Sequence, residues 1–284
     1  MTKQIGTLVE DIHEKVDKGF VINGIHMNSF LNDMKVALTR QMEPEHRQRG
    51  NHLRMSNIGK DDCQLWHEIN GTEGEHLGPQ TRLKFLFGDM VEALLLFLAK
   101  ASGHEVTNEQ GTLEIDGIVG HMDCEIDGVP TDIKSASSYG FKKFQNGSLV
   151  DDDPFGYIGQ ISSYAHARGK DKAAFFAMDK SNADLTVMNV VSMDMIDVPE
   201  RIAHMKKVVA SEEPPERAYT PVPHGESGNM KLGTKCSYCA FKDKCWEHSN
   251  DGKGLRLFIY GGGKPVWLTT VEREPKVFEK VSET

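Results

Sequence analysis

The chain has 284 residues, of which 38% are hydrophobic and 26% are charged, and its formal net charge at pH 7 is −9. This composition supports a buried core and excludes an intrinsically disordered chain. The longest apolar run, 93–99, is too short to span a bilayer, and the polar N-terminus lacks a signal-peptide core, so we expect a cytoplasmic protein without membrane contact.

The first predicted elements are helices. Residues 1–50 are predicted to be helical with polar interruptions, whereas repeated glycines make 51–79 irregular. Over 80–102, apolar residues recur at three- and four-residue steps, which predicts a strong helix that ends before Gly103.

A β pattern follows from 104 to 135. Residues 105–110 and 112–115 are expected to pair around Gly111, and 118–126 with 129–135 around the tight-turn dipeptide Asp127-Gly128. Further helices are predicted at 137–144, 154–168 and 195–210, and further strands at 173–178 and 185–191.

A proline-rich stretch, 212–223, precedes a cysteine cluster, and the last predicted element is a hairpin around Gly261–Gly263. The order of elements predicts an α/β fold: a central mixed β-sheet flanked by helices, with a helical N-terminal region and a C-terminal cysteine-cluster appendage. The corresponding domain boundaries are 1–79, 80–211 and 212–284, and the first region carries Cys63.

Acidic residues and a lysine are expected to meet on two neighbouring strands. Asp132 and Lys134 are two residues apart, so they point to the same face of a strand, and Asp123 pairs near Asp132 across the hairpin. Two like charges directly opposite destabilise a sheet, and a hard divalent cation such as Mg²⁺ would remove that conflict. Glu92, on the preceding helix, is the candidate third ligand. Asp89, on the same helix, is the alternative third ligand. The other interpretation is that Glu92 is a simple surface charge.

Four motifs in this order resemble those of the PD-(D/E)XK nuclease superfamily, with the greatest similarity to RecB-like exonucleases that include the CRISPR-associated iron–sulfur members. The resemblance extends from about residue 56 to residue 246. The motifs are Gly88…Glu92, Gly120-His121-Met122-Asp123, Asp132-Ile133-Lys134 and Gln160…Tyr164.

The resemblance implies a restriction-endonuclease-like nuclease core at 80–211. It implies that Lys134 is the catalytic lysine, and that Gln160 and Tyr164, four apart on one helix face, point to the active site and the DNA. Many family members carry His where this chain has Glu92, so both Mg²⁺ and Mn²⁺ stay open. The implied metal ligands are Glu92, Asp123, Asp132 and the backbone carbonyl of Ile133.

The activity implied is that of a metal-dependent DNA exonuclease, which hydrolyses phosphodiester bonds of single-stranded DNA or DNA ends in recombination, repair or replication. Such an enzyme suits a phage or a prokaryote, and a phage enzyme would act in the host cytoplasm. A helicase would have to be a separate partner, because the chain has no phosphate-binding loop. The alternative is a non-catalytic iron–sulfur or zinc nucleic-acid-binding subunit of a helicase–nuclease complex. RNA also stays open as the substrate.

The net charge argues against attraction of nucleic acid to the whole surface, but a local basic groove can still hold phosphates. Two stretches of the sequence are candidates, each with a plain solvated surface as its alternative. They are Arg40, Arg47, Arg49, Arg54 and Lys60, and His166, Arg168, Lys170 and Lys172.

Five cysteines, without a signal peptide, argue against a disulfide framework. Cys236, Cys239 and Cys245 have metal-ligand spacing, and Cys63 is the best fourth ligand, with His248 as the alternative. Thiolates favour Zn²⁺ or an iron–sulfur cluster. The resemblance implies a 4Fe–4S cluster, because the related nucleases carry one cysteine before the core and three after it. Cys124, next to Asp123, is expected to point into the core.

Overall fold

The computed structural model describes residues 3–43 and 51–280. Two arginines of the first candidate basic patch, Arg47 and Arg49, lie outside the described residues. The helices are α1 Leu8–Lys18, α2 Gly24–Met42, α3 Asp62–Ile69, α4 Pro79–Ala101, α5 Ser138–Gln145, α6 Tyr157–Ala167, α7 Val198–Val209, α8 Thr234–Ser237 and α9 Lys242–Cys245. The strands are β1 Val106–Thr107, β2 Gly111–Ile115, β3 Ile118–Met122, β4 Cys124–Ile126, β5 Val129–Ala136, β6 Lys172–Asp179, β7 Leu185–Val191, β8 Val222–Pro223, β9 Met230–Lys231, β10 Arg256–Tyr260, β11 Lys264–Thr270 and β12 Phe278–Lys280.

The chain divides into two compact units. The first consists of residues 1–59 and 77–203, and the second of residues 60–76 and 204–284.

A five-stranded sheet in the order β1-β4-β5-β6-β7 forms the centre of the first unit. β5 and β6 are parallel and the other neighbours are antiparallel, so the sheet is mixed, as predicted. Helices α1 and α4 pack on one face, where Leu8 and Leu95 share a core with Phe176. Phe175 points to the opposite face and meets Phe144 of α5, with ring centroids 5.4 Å apart. The predicted α/β class, with a helical N-terminal region, is confirmed.

The region before β5 differs from the prediction. The expected single strand 118–126 breaks at Asp123: β3 pairs with β2 in a separate two-stranded sheet, and β4 joins the main sheet. The expected pairing of 105–110 with 112–115 is wrong, since Val106 pairs with Ile126. Asn108 and Gln110 have φ values of 52° and 50°, so the backbone turns where a continuous strand was expected.

The second unit contains an antiparallel sheet in the order β12-β10-β11-β9-β8. The predicted hairpin around Gly261–Gly263 is confirmed as β10 and β11. The other three strands were missed because each has only two or three residues, too few for an alternating pattern. The buried core of this sheet is small and consists of Phe258, Val266 and Leu268.

Within the described residues, the helices do not combine the length and the apolar character that crossing a membrane requires.

Candidate functional site

The β4–β5 turn sets the register of the acidic site. Asp127 and Gly128 have φ values of 51° and 77°, as a two-residue hairpin turn requires. The ladder pairs Ile126 with Val129 and ends with Cys124 opposite Thr131, so the next position places Asp123 beside Asp132. The Asp123 carboxylate bends back onto β5 and accepts a hydrogen bond from the backbone N–H of Ile133, with N···O at 2.8 Å.

Asp132 is a buried carboxylate with an unsatisfied oxygen. The residue is 1% exposed, and its Oδ1 atom accepts no hydrogen bond from the described residues. The ammonium group of Lys134 pairs with Oδ2 of Asp132. Although burial acts to lower it, the pKa of Lys134 is raised, because the negative charges of Asp132 and Asp123 stabilise the ammonium form.

Two further acids crowd the same site. Burial raises the pKa of Glu92 to about 7, the charge of Arg40 opposes the rise, and the charge of Asp132 adds to it. Burial also raises the pKa of Asp123 well above its usual range, and the charges of Asp132 and Glu92 add to the effect. Two acids with raised pKa values and a third with an orphaned oxygen form the kind of oxygen donor set that a hard divalent cation prefers. The chemistry of these donors therefore suits a Mg²⁺ or Mn²⁺ ion.

Glu92 and Asp89, the two rival acids of α4, have different surroundings. Asp89 pairs with Arg40 of α2, with N···O at 2.5 Å, and accepts a hydrogen bond from Gln41 at 2.9 Å. Glu92 accepts a hydrogen bond from Gln110 at 2.8 Å and is coupled to Asp132 through its charge. The geometry therefore favours Glu92 over Asp89 as the third acid of the site.

Gln160 and Tyr164 form a short chain of hydrogen bonds on α6. Gln160 donates to the Tyr164 hydroxyl at 2.8 Å, and that hydroxyl donates to the backbone carbonyl of His121, also at 2.8 Å. Tyr164 is 1% exposed and Gln160 is half-buried. His121 lies two residues before Asp123, and the chain therefore ties α6 to the strand break that positions the Asp123 carboxylate.

The structure thus brings the predicted site residues of the nuclease core together in the first unit. Their catalytic and metal-binding roles remain predictions. Sequence reasoning missed Tyr157, whose ring lies 4.8 Å from the Nζ atom of Lys134. It also missed the ion pair between Asp89 and Arg40, which belongs to the first candidate basic patch.

The second candidate basic patch is partly neutralised. The Arg168 guanidinium donates to Oε1 of Glu125 at 2.6 Å, and Glu125 is itself buried. Arg168 therefore already forms an ion pair within the fold. It is a weaker candidate for binding phosphate than the sequence predicted.

The predicted cysteine centre lies in the second unit. The Sγ atoms of Cys63 and Cys245 are 3.7 Å apart, and all four predicted cysteines line one cavity. A hydrogen bond from Cys245 lowers the pKa of Cys63 to about 7, whereas burial raises the pKa of Cys236 to about 11. Four thiols around one cavity fit a soft metal group, either Zn²⁺ or an iron–sulfur cluster.

A histidine that the sequence analysis did not single out lies beside this centre. His67 follows Cys63 by four residues on α3, so both point to the same helix face, and its ligand atom lies within 4.8 Å of the Cys63 and Cys245 thiols. Its Nδ1 atom is 2.9 Å from the Thr72 hydroxyl, which fixes the ring. The C-x3-H spacing was the signal available in the sequence. His248, the predicted alternative to Cys63, has a side chain that is 94% exposed, which favours Cys63.

Cys124, the fifth cysteine, is fully buried. It lies in the same core as Ile133, on the face opposite the acidic site, as predicted.

Comparisons with solved structures gave distant likenesses. No family model matches the chain, and no curated protein matches it. Among solved structures, the chain is similar to a protein named SSO0001, at 11% identity and a TM-score of 0.40, over 78% of this chain and 96% of that one. It is also similar to an alkaline exonuclease, LHK-Exo from Laribacter hongkongensis, at 16% identity and a TM-score of 0.36, over 57% of this chain and 86% of that one. The same enzyme in complex with dAMP gives 15% identity and a TM-score of 0.37, over 56% and 85% of the two chains. With identities and TM-scores this low, the function is inferred from the site residues themselves.

Proposed function

We propose that the chain is a metal-dependent DNA nuclease of the PD-(D/E)XK type, an exonuclease that hydrolyses phosphodiester bonds of single-stranded DNA or DNA ends. The observation that carries the proposal is the buried Oδ1 atom of Asp132, which lacks a hydrogen-bond donor among the described residues, in a site that also holds Lys134 and two acids with raised pKa values. A buried carboxylate oxygen without a hydrogen-bond donor destabilises the fold. Such an oxygen is therefore expected where a bound ligand satisfies it.

Glu92, Asp123, Asp132 and the carbonyl of Ile133 would hold the Mg²⁺ or Mn²⁺ ion. When bound, the ion supplies polarisation of a phosphate oxygen and a lowered pKa for a coordinated water.

Lys134 is a cation in the metal-free site. Its raised pKa keeps the ammonium group protonated at neutral pH. A protonated amine can donate hydrogen bonds to the attacking water and to the phosphate as negative charge develops on it. Asp132 holds the amine in place, and the Tyr157 ring beside it restricts its movement.

The test is cleavage of end-labelled single-stranded DNA by the purified protein with Mg²⁺ or Mn²⁺. We expect cleavage by the wild type and a loss of about 100-fold or more in rate for Lys134→Ala, as for removal of one oxyanion donor. Lys253→Ala, at an exposed lysine, is the matched control and should cleave at the wild-type rate. Circular dichroism of each variant separates lost folding from lost catalysis. Equal rates for Lys134→Ala and wild type would contradict the proposal. A wild type that binds but never cleaves would favour the non-catalytic binding subunit.

The polarity and mode of cutting follow from the same reaction. Substrates labelled at the 5′ or the 3′ end give product ladders that distinguish an exonuclease from an endonuclease. An exonuclease of this kind would serve recombination, repair or replication of DNA, with a helicase as a separate partner.

For the cysteine centre we propose a 4Fe–4S cluster held by Cys63, Cys236, Cys239 and Cys245. The support is the resemblance noted in the sequence and the shared cavity of the four thiols. Visible absorption and bound iron after anaerobic purification would support the cluster. A colourless protein with one equivalent of zinc would identify the alternative, a structural zinc site.

A further inference from the structure

A buried histidine joins the N-terminal helix α1 to the turn between β4 and β5. The side chain of His104 is 0% exposed, and both of its ring nitrogens face carboxylates. Nδ1 lies 2.7 Å from Oδ2 of Asp127, in the β4–β5 turn, and Nε2 lies 3.0 Å from Oδ2 of Asp11, on α1. We call these three side chains the His104 bridge.

The bridge is complete only when the ring carries two protons. An ionised carboxylate accepts hydrogen bonds and donates none. A neutral imidazole has one N–H group and can donate to only one of the two carboxylates, whereas an imidazolium has two N–H groups and can donate to both. Because imidazole is a stronger base than a carboxylate, the proton between Nδ1 and Asp127 is expected on the ring.

The surroundings of the bridge favour a positive ring. The Thr7 hydroxyl donates to Asp11 at 2.7 Å and the Lys3 ammonium lies 3.0 Å from it, and both hold the pKa of Asp11 below its ordinary value. Oδ1 of Asp127 accepts a hydrogen bond from the backbone N–H of Glu105 at 3.0 Å, while the Glu105 side chain is exposed. The charges of Lys3, Asp11, the ring and Asp127 therefore alternate in sign along one line of contacts.

The bridge ends at elements that set the geometry of the acidic site. Asp127 lies in the turn whose register places Asp123 beside Asp132. The backbone N–H of His104 donates to the Ala99 carbonyl at 3.1 Å, at the end of α4, the helix that carries Glu92. The bridge thus connects α1 and the end of α4 to the turn before β5, and all three acids of the site depend on these elements for their positions.

We propose that His104 is a positioning residue of the acidic site. Its doubly protonated ring holds the β4–β5 turn against α1, and loss of one ring proton as the pH rises breaks one of the two bonds and loosens the turn. This inference rests on the proposed function through its metal site. It gives that site a pH dependence that comes from outside the acidic and lysine group.

Nuclear magnetic resonance of the full chain, with ¹⁵N-labelled histidine, counts the protons of the ring. His104→Gln identifies the signals of this ring by their absence. We expect two ring N–H groups on His104 at about pH 7 and one at higher pH, since an imidazolium releases one proton. A ring with one N–H group at about pH 7 would overturn the proposal.

Amide hydrogen exchange measures what the bridge holds in place. The glutamine of His104→Gln can donate to only one of the two carboxylates. At about pH 7, exchange in α1 and in the β4–β5 turn should be about tenfold faster than in the wild type, as for loss of a hydrogen bond to a charged group. His13→Gln is the matched control, because His13 is an exposed histidine of the same helix, and it should exchange like the wild type. Equal exchange in His104→Gln and wild type would refute the bridge.

Mn²⁺ affinity by calorimetry and DNA cleavage test the positioning role, each as the ratio of His104→Gln to wild type. At about pH 7 the variant should be weaker by about tenfold in both, as for loss of a group that orients metal ligands. The ratio should approach one at the pH where the wild-type ring has lost its proton. A ratio that stays constant with pH would limit His104 to stabilising the fold and would overturn the positioning role. If the wild type cleaves no DNA but its Mn²⁺ affinity follows this pattern, the nuclease proposal fails while the positioning role stands.

Discussion

Glu92 is an acid whose protonation depends on burial. Its pKa in the folded chain is about 7, above the ordinary value of 4.5. Between these two values the unfolded chain releases the proton and the folded chain keeps it. Without a divalent cation, the contribution of Glu92 to the free energy of unfolding should therefore be greatest below about pH 4.5. It should fall as the pH rises to about 7, by at most about 1.4 kcal/mol per pH unit. Asp123 contributes in the same direction.

Thermal unfolding from pH 5 to pH 8, without added Mg²⁺ or Mn²⁺, measures this effect. Glu92→Gln should flatten the fall in the unfolding midpoint, because glutamine has no proton to release. Added Mg²⁺ should stabilise the wild type most at the higher pH, where the ligands are ionised. A wild type and a Glu92→Gln variant with the same pH dependence would show that Glu92 does not titrate in this range.

Residue types and spacings predicted much of the acidic site. Asp132 and Lys134 share a face because of the two-residue period of a strand, and Asp127-Gly128 predicts the turn that brings Asp123 to Asp132. Partners that come from distant positions could not be predicted. Tyr157 reaches Lys134 only because a loop and a helix fold over β5, and no local period encodes that contact.

A substitution at Tyr164 tests whether the hydrogen-bond chain on α6 positions the acidic site. Tyr164→Phe removes the hydroxyl that links Gln160 to the carbonyl of His121 and leaves both without that partner. We expect a loss of about 1–2 kcal/mol in the free energy of unfolding. Tyr139→Phe is the matched control, because that residue is 74% exposed, and it should change neither stability nor activity. The measurements are chemical denaturation and DNA cleavage at saturating Mg²⁺. If Tyr164→Phe changes neither the free energy of unfolding nor the cleavage rate, the hydrogen-bond chain does not position the site.

At the scale of elements, periodicity predicted long elements better than short ones. The helix expected at 80–102 is observed as α4, Pro79–Ala101, because its apolar face repeats over six turns. The break between β3 and β4 was missed, since apolar residues continue directly on both sides of Asp123, at Met122 and Cys124, and favour one continuous strand. The break is what frees the Asp123 side chain to reach the backbone of β5.

Close approach of two backbones holds α6 in its place. A Cβ atom at Gly159 would lie 2.6 Å from the Cα atom of Gly59, closer than any side chain can be accommodated without movement of the backbone. Gly159→Ala should therefore push α6 away and cost about 1–3 kcal/mol in stability. Because α6 carries Gln160 and Tyr164, cleavage activity should fall as well.

Gly140→Ala is the matched control for this prediction. It lies in helix α5, and its Cβ would meet the Ala136 Cβ at 3.6 Å, an ordinary contact. It should be neutral or slightly stabilising, since alanine favours a helix. Thermal unfolding of the two variants measures the difference. Equal midpoints for Gly159→Ala and wild type would show that the backbones can separate without cost.

At the scale of the whole molecule, the second unit joins two segments that are distant in sequence, 60–76 and 204–284. Direct contacts between the segments include a hydrogen bond from the Tyr219 hydroxyl to Asp61 at 2.5 Å and one from the Glu75 N–H to the Ala240 carbonyl at 2.7 Å. The sheet of this unit has a small buried core, and the segments are also joined by the stacked rings of His67 and Phe241, with centroids 5.6 Å apart. Proteins with small cores commonly gain stability from a bound metal.

Loss of one thiol should therefore affect folding of the second unit before it affects chemistry. Cys63→Ser removes the ligand contributed by the first segment, and metal binding then no longer connects that segment to Cys245 and its neighbours. We expect loss of bound metal, and faster amide hydrogen exchange in 60–76 and 204–280 than in the sheet of the first unit. Cys124→Ser is the matched control, because Cys124 is a buried cysteine of the first unit, and it should retain the metal at some cost in stability. Metal analysis and hydrogen exchange measured by mass spectrometry distinguish the variants. If Cys63→Ser retained a full complement of metal, His67 would be the next candidate, since its ligand atom lies beside the same thiols.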